Sequence, residues 1–211
     1  IVSEEAFMQP LRKVISKLKL RASYGQVGNA NLGGRRFAYL STITDDYETL
    51  NMYKWGLDSS YGLTGMAEGE FAVQDLTWEI VNKMNLGVEL GFLNGMIDLQ
   101  LDYFDERRKD IFMPRESVPM TAGFMKQPWK NFGKVTNQGV EVSLNVNKQF
   151  GKDLFVSLMG TFTYAHNEIT EKDEPSAVVG TNRAETGHPV GQLTGYIAEG
   201  LFTADDFEDV S

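Results

Sequence analysis

The chain has 211 residues, with 29 acidic and 20 basic side chains and a formal net charge of −9. This acidic balance argues against nucleic acid as a partner, because phosphate binding needs a basic patch. The chain has no cysteines, which excludes disulfides and thiolate chemistry within it. No stretch approaches the ~20 apolar residues of a membrane helix, but membrane β-strands give a much weaker hydropathy signal.

The first part of the chain predicts one strand followed by a long excursion. Ser3 and Pro10 are placed to begin and end a short helical turn. Residues 18–27 alternate apolar and basic side chains, which predicts a strand with one face of each kind. Residues 28–75 follow, with strand-like pieces at 37–43 and 51–55. So long an excursion is uncommon in a compact domain and is usually functional.

The clearest pattern lies in residues 76–92, where the even positions are apolar except Asn82 and the odd positions are polar except Val81. This period of two predicts a strand, and Asn94-Gly95 after it predicts a two-residue type I′ hairpin turn. A one-residue slip would exchange the two faces, so turn and pattern support the same register. The predicted pairs are Phe92–Ile97, Leu90–Leu99, Val88–Leu101, Leu86–Tyr103, Gly91–Asp98, Glu89–Gln100 and Gly87–Asp102.

The remaining chain repeats this plan. A second long loop is predicted at 105–131, then strands at 140–146 and 154–164 joined by a short turn near Phe150-Gly151, and loop character from 166 onward. Long and short connections alternate, so the five long strands carry all their long loops at one end, as outer-membrane barrels do. The 17-residue run at 76–92 also exceeds the ~9–11 residues needed to span a bilayer. Because five strands cannot close a barrel, and because the chain starts at Ile1 and ends in an acidic run, we expect residues 1–211 to be one partial domain.

Several motifs resemble the SusC/RagA family of TonB-dependent outer-membrane transporters. They follow the family's order along almost the whole chain, and together they are specific. Val73-Gln74 stands where the family usually has Asn-Pro, and Gln138 replaces its usual basic residue. The matching stretches are residues 18–25, Gly28-Asn29, 75–79, 91–95, 101–104, 131–135, 137–141 and 195–202.

The resemblance implies an all-β fold, namely about five long antiparallel strands of a 22-stranded transmembrane barrel with long extracellular loops. It further implies import of nutrients, such as oligosaccharides or peptides, across the outer membrane of a Gram-negative cell. A SusD-like surface lipoprotein would act as a lid, and TonB would supply energy through an N-terminal part that lies outside these residues, as does the plug. No enzyme activity and no cofactor are expected.

Candidate functional residues come from the loop aromatics Tyr53, Trp55, Tyr61 and Trp129. Their rings could stack on sugars or pack against the lid lipoprotein, whereas simple loop packing is the competing interpretation. The carboxylates Asp98 and Asp102 are expected to line a wet lumen rather than to catalyse glycoside hydrolysis. The aromatic side chains expected at the membrane interfaces are Tyr24, Trp78, Tyr103 and Tyr164.

No metal site is predicted. His166 and His188 are assigned to loops, and neither belongs to a cluster with ligand spacing. The acidic run at 205–209 lacks the spacing of a calcium loop, so a solvated acidic surface is the prediction.

Two alternatives remain open at this point. In a soluble β-sandwich binding module or adhesin, Leu86, Val88, Leu99 and Leu144 would be buried between two sheets about 10 Å apart. In a passive porin-like channel, no plug would precede the barrel. Sorting of the loops to one end disfavours the first alternative, and the family motifs disfavour the second.

Overall fold

The computed structural model describes residues 1–44, 53–55, 61–63, 66–198 and 200–201. Its strands are β1 (Ile15–Asn29), β2 (Thr42–Thr44), β3 (Tyr53–Trp55), β4 (Tyr61–Leu63), β5 (Ala67–Glu70), β6 (Glu79–Phe92), β7 (Ile97–Pro114), β8 (Trp129–Phe150) and β9 (Leu154–Glu171). The main feature is one antiparallel sheet of the five long strands, in the order β1-β6-β7-β8-β9. Among the described residues no helix has the length and apolarity to span a membrane.

The predicted hairpin is confirmed pair by pair, from Phe92–Ile97 through Leu86–Tyr103. Asn94 and Gly95 have φ values of 57° and 84°, as a type I′ turn requires. Leu93 also has a positive φ of 52°, which the sequence did not indicate. The second tight turn is confirmed as well, because Phe150 pairs with Leu154 around Gly151. Both tight turns lie at one end of the sheet and the long connections at the other.

Several predicted boundaries were wrong. The second long loop covers 115–128 rather than 105–131, since β7 runs to Pro114 and β8 starts at Trp129. In the same way β9 continues to Glu171, so His166 lies in a strand and not in a loop. At this end of the sheet the strands continue by backbone pairing beyond the point at which the alternation of apolar and polar residues stops. Conversely, β6 starts only at Glu79, three residues after the start of the apolar alternation.

The excursion between β1 and β6 contains two small antiparallel pairs, β2 with β5 and β3 with β4. The strand expected at 37–43 is mostly absent, since only Thr42–Thr44 is extended and Phe37 has a φ of 57°. The piece expected at 51–55 is a strand at Tyr53–Trp55, and residues 51–52 lie outside the described part. The N-terminal turn is formed by two 3-10 helices, Val2–Glu4 and Ala6–Leu11, and Pro10 lies inside the second.

One face of the large sheet carries an uncovered band of apolar side chains, here called the apolar band. Leu86 is 47% exposed and Leu144 36%, so neither is buried between two sheets as a β-sandwich would require. Tyr103 and Tyr164 both pair with Val140, which places them in one row at the loop end of the band. The opposite, polar face carries the alternate residues of every strand.

A single side chain organises the loop end of three strands. The Asn131 amide donates to the carbonyls of Thr77 (2.9 Å) and Asp110 (2.8 Å). Its oxygen accepts from the Thr77 backbone N–H at 3.1 Å. Asp110 has a φ of 58° and lies where the β7–β8 register shifts, between Arg108 and Ile111. Asn131 therefore holds a left-handed bulge residue on β7 against the entry to β6.

Candidate functional site

A ladder of opposite charges covers the turn end of the polar face. Three cations on β1 surround Glu89 of β6, with Lys17 Nζ at 2.7 Å, Lys19 Nζ at 3.1 Å and Arg21 Nε at 3.0 Å from its carboxylate oxygens. The basic face predicted for this strand is thus partly neutralised by Glu89 of its neighbour, and cross-strand ion pairs join β1 to β6.

Arg21 also reaches across a whole strand. Its Nη2 donates to both Asp102 oxygens on β7, at 2.8 and 2.9 Å. The strand between them contributes Gly87, which pairs with Arg21 on one side and Asp102 on the other. A Cβ at Gly87 would lie 2.5 Å from Asp102 Oδ1, so the absence of a side chain there opens the path for the guanidinium. Asp102 is only 8% exposed because Arg21 and Gln100 cover it.

A pocket of about 720 Å³ lies on the polar face near the loop end. Its apolar lining includes Val81 and Ile169, each 7% exposed, together with Val135 between them and Val190 of the segment after β9. Val81, the exception in the polar positions of 76–92, is therefore part of this lining. Charged side chains surround the apolar floor, and several of them form ion pairs: Lys83–Glu106, Arg108–Glu79, Lys134–Glu171 and Lys172–Glu185.

Of the four candidate aromatics, Trp129 has a described environment. The Arg35 guanidinium carbon lies 4.3 Å from its ring centroid, and the Phe112 ring packs against it at 5.1 Å. Glu70 holds Arg35 in place at 2.5 Å and also binds Lys126 at 2.8 Å. The hydrogen bond from Lys126 lowers the pKa of Glu70, burial opposes this, and the charge of Arg35 adds to the lowering. Trp129 is thus half-buried at a junction between the β1–β6 excursion and the β7–β8 loop.

The other three aromatics are described through their backbones. Tyr53 pairs with Leu63, and Trp55 pairs with Tyr61, so the β3–β4 hairpin carries all three residues. The acidic run at 205–209 lies outside the described residues. Within the described part, no group of three or more His, Cys, Asp or Glu residues could hold a metal ion.

A second loop junction is centred on Asp173, which is 7% exposed. Its Oδ2 accepts from Arg115 Nε at 2.7 Å and from Ser117 Oγ at 2.9 Å. Burial alone would raise the pKa of Asp173, but these hydrogen bonds outweigh it and lower the pKa below its usual range. This pairing joins the β7–β8 loop to the segment after β9. Sequence reasoning missed it, because 58 residues separate Arg115 and Asp173.

Taken together, the long strands, the uncovered apolar band, the charged opposite face and the one-sided loops define a segment of barrel wall. The β-barrel model described as "TonB dependent receptor-like, beta-barrel" matches residues 11–203. The chain belongs to this family.

Two curated relatives support the SusC/RagA resemblance, which is confirmed. The TonB-dependent receptor SusC of Bacteroides thetaiotaomicron is 33% identical over 173 residues, which cover 81% of this chain and 16% of that protein. The TonB-dependent receptor P39 of Formosa agariphila is 29% identical over 206 residues, covering 97% of this chain and 18% of that protein. The chain thus spans less than a fifth of the length of either relative.

The solved structures agree on the fold. The RagAB peptide importer in its closed-closed state matches with a TM-score of 0.64 and 23% identity, over 89% of this chain and 19% of that one. A second structure, of the RagAB peptide transporter, gives a TM-score of 0.59 and 24% identity over 80% of this chain and 17% of that one.

Proposed function

We propose that this chain forms part of the wall of an outer-membrane transporter that imports nutrients in a TonB-dependent manner. The observation that carries the proposal is the apolar band, which is uncovered, continuous across five strands and bounded by tyrosines at the loop end. On β9 the band runs from Leu154 to Tyr164. Ten steps of ~3.4 Å give about 34 Å, and a tilt near 40° reduces this to about 26 Å. The apolar belt of such barrels is ~25 Å tall.

The opposite face is suited to a wet lumen. Its charges are largely paired on the protein itself, as around Glu89 and Asp102. A surface with its charges already satisfied leaves few strong binding groups to retain a passing solute. The pocket near Val81 and Ile169 lies on this face at the loop end, where an imported ligand would enter.

Partners and substrate follow from the relatives as proposals. A SusD-like lipoprotein would rest on the long loops, and TonB would act through a part of the receptor outside these residues. Oligosaccharides or peptides are the proposed substrates, and two of the structural neighbours are described as a peptide importer and a peptide transporter. Tyr53, Trp55, Tyr61 and Trp129 remain the proposed contacts to ligand or lipoprotein. Arg35 and Phe112 already pack against the ring of Trp129, so a contact there would use the part of the ring that they leave exposed.

The membrane assignment is tested by two neighbouring substitutions in the complete receptor. Leu144→Arg places a charge near the middle of the apolar band, because on β8 the band runs from Val140, opposite Tyr164, to Phe150, opposite Leu154. A charge at the bilayer midplane costs ~2–4 kcal/mol. Ser143→Arg places the same charge on the polar face and is the matched control. We expect L144R to reduce the heat-modifiable folded receptor in outer-membrane fractions, while S143R leaves it near wild type. Recovery of the wild-type receptor as a soluble periplasmic protein would refute the proposal.

The transport role is tested by growth and uptake. Deleting the gene and supplying defined oligosaccharides or peptides as sole carbon source should reveal the nutrient whose uptake fails. In the complemented strain, Trp129→Ala should reduce uptake of that nutrient, and Trp78→Ala, outside the loop junction, should not. Wild-type uptake by W129A at normal receptor abundance would remove Trp129 from the proposed contacts while leaving the transport role standing.

A further inference from the structure

The pocket near the loop end of the polar face is the feature that supports one further inference. Its volume of about 720 Å³ lies in the ~300–1,000 Å³ range of ligand sites. Val81 and Ile169 in its lining are almost completely buried, and Ile111, Met113 and Val135 extend the same apolar floor. The rest of this face carries mainly polar and charged side chains. An apolar floor within it is therefore a local feature that a ligand could recognise.

The charged side chains around this floor are already neutralised within the protein. Three cations and three carboxylates line the pocket, and each of the six has an ion-pair partner of opposite sign. An anionic polysaccharide would need unpaired cations to hold its own charges. The pocket has no surplus of either sign, so its charge favours a ligand group that is itself uncharged.

The uncharged lining is aliphatic. Among the described residues that line the pocket none is aromatic, so a neutral sugar would find no ring on which to stack. Its hydroxyls would also be buried against aliphatic side chains, and a hydroxyl buried without a hydrogen bond costs free energy. Branched aliphatic side chains and the adaptable thioether of Met113 instead fit a hydrocarbon group of variable shape.

One polar group beside the floor has hydrogen-bonding capacity to spare. The side-chain Oδ1 of Asn167 accepts from the backbone N–H of Val190 at 2.7 Å. Because only the oxygen can accept that proton, this bond fixes the orientation of the amide. The amide N–H groups of Asn167 make no hydrogen bond within the described part of the chain. A donor pair in this position, two residues from Ile169 on the same face of β9, can bind a carbonyl oxygen.

We infer that this pocket is a specificity subsite for an imported peptide, which places an aliphatic side chain on the apolar floor while Asn167 donates to a neighbouring main-chain carbonyl. The inference rests on the proposed function and narrows its two substrate classes to one. The height of the pocket is consistent with this role. Val135 lies five residues before Val140, which is level with the tyrosine row. In the proposed barrel, ~3.4 Å for each residue and a tilt near 40° place this floor about 13 Å outside the hydrocarbon, where nutrients arrive.

Two variants of the complete receptor test the subsite. Val190 lines the pocket and is 57% exposed, so Val190→Asp adds a charge beside the aliphatic group without entering a packed core. Val179→Asp is its matched control, because Val179 is 61% exposed in the same segment after β9 and lies outside the pocket lining. Asn167→Asp keeps the acceptor for Val190 N–H and removes only the free donors.

The probes are synthetic pentapeptides Ala-Gly-X-Gly-Ala, in which X is Leu, Val, Ala or Ser, together with malto-oligosaccharides and oligogalacturonates. Each is dialysed to equilibrium against purified, heat-modifiable receptor, and the bound fraction is measured by mass spectrometry. We expect the Leu peptide to bind at least roughly tenfold more tightly than the Ala peptide, because one methylene in an apolar pocket changes binding roughly 10- to 200-fold. V190D should lose this preference, N167D should weaken every peptide alike, and V179D should match wild type.

Binding that does not depend on X, or a Leu preference that V190D retains, would overturn the subsite. Binding of oligosaccharides alone, or of none of the probes, would overturn the peptide assignment and leave the transport role standing. If another part of the receptor fills the pocket, V190D would lower the stability of the folded receptor in urea and leave probe binding unchanged, which also overturns the inference. Receptor found only as a soluble periplasmic protein would instead overturn the proposed function itself.

Discussion

Gly139→Ala is the substitution for which the structure gives the sharpest expectation. Gly139 lies in the middle of β8 on the polar face, between Phe104 of β7 and Ala165 of β9. An ideal Cβ there would collide with the backbone carbonyl of Tyr164 and lie 2.6 Å from Phe104 Cζ. Gly139 has no positive φ, so the collision and not the backbone conformation opposes alanine.

The destabilisation by Gly139→Ala depends on whether the atoms that the new Cβ meets can move away. A flexible side-chain end could swing away, but here one obstacle is the backbone of a paired strand and the other is a ring. Overpacking of this kind costs ~1–3 kcal/mol. Gly160→Ala is the matched control, since it lies on β9 with open space around its Cβ position. There alanine should be neutral or slightly stabilising, because it reduces the freedom of the unfolded chain.

Hydrogen exchange of the complete receptor in detergent measures this locally. Amides of β8 and β9 around Gly139 should exchange roughly 5- to 150-fold faster in G139A, the factor that corresponds to ~1–3 kcal/mol. The same amides in G160A should match wild type. Unchanged protection in G139A would refute the packing of Phe104 over this glycine, and equal loss in both variants would show that any alanine disturbs the strand.

Three further expectations concern polar contacts. Arg21→Met should lower the free energy of unfolding by ~1–2 kcal/mol in urea titrations, because it leaves the mostly buried Asp102 without its charge partner. Adding Asp102→Asn should recover part of this loss. Asn131→Asp keeps the side-chain acceptor but loses both N–H donors. Hydrogen exchange at the loop end of β6 and β7 should therefore be faster in this variant than in the control Asn145→Asp. The loop junction at Asp173 should resist protease at pH 5–7 and open as the pH falls below ~4. The pKa of this carboxyl is lower in the folded than in the unfolded protein, so its contribution to stability is complete above the unfolded pKa and is lost as the pH falls through the folded pKa. Asp173→Asn should open the same loop already at pH 7, and an Asp173→Asn variant as resistant as wild type would contradict the role of that carboxylate.

The sequence was sufficient for the parts of the fold in which two independent signals agree. The register of the β6–β7 hairpin follows from alternation and from Asn94-Gly95 together, and it is correct at every pair. The boundaries failed where only one signal exists. Arg107 and Lys109 continue β7 by backbone pairing. Their side chains are both exposed, so nothing in them distinguishes a strand from a loop.

The candidate site was less predictable for a related reason. Val81 is anomalous in the sequence, but its partners in the pocket, Ile169 and Val190, lie more than 80 residues away along the chain. Trp129 was selected for its ring alone, and the cation that covers one face comes from Arg35 in a distant loop. Such contacts depend on how long loops fold together, which no local pattern encodes.

The strands extend well beyond the apolar band at their loop end, which bears on how far the long loops would lie from the membrane. On β8, eleven residues separate Val140, level with the tyrosine row, from Trp129 at the strand's start. In the proposed barrel, ~3.4 Å for each residue and a tilt near 40° would place Trp129 about 25–30 Å above the edge of the hydrocarbon. The rim formed by the long loops would then stand clear of the lipid headgroups, so a partner seated on that rim would contact protein and not lipid.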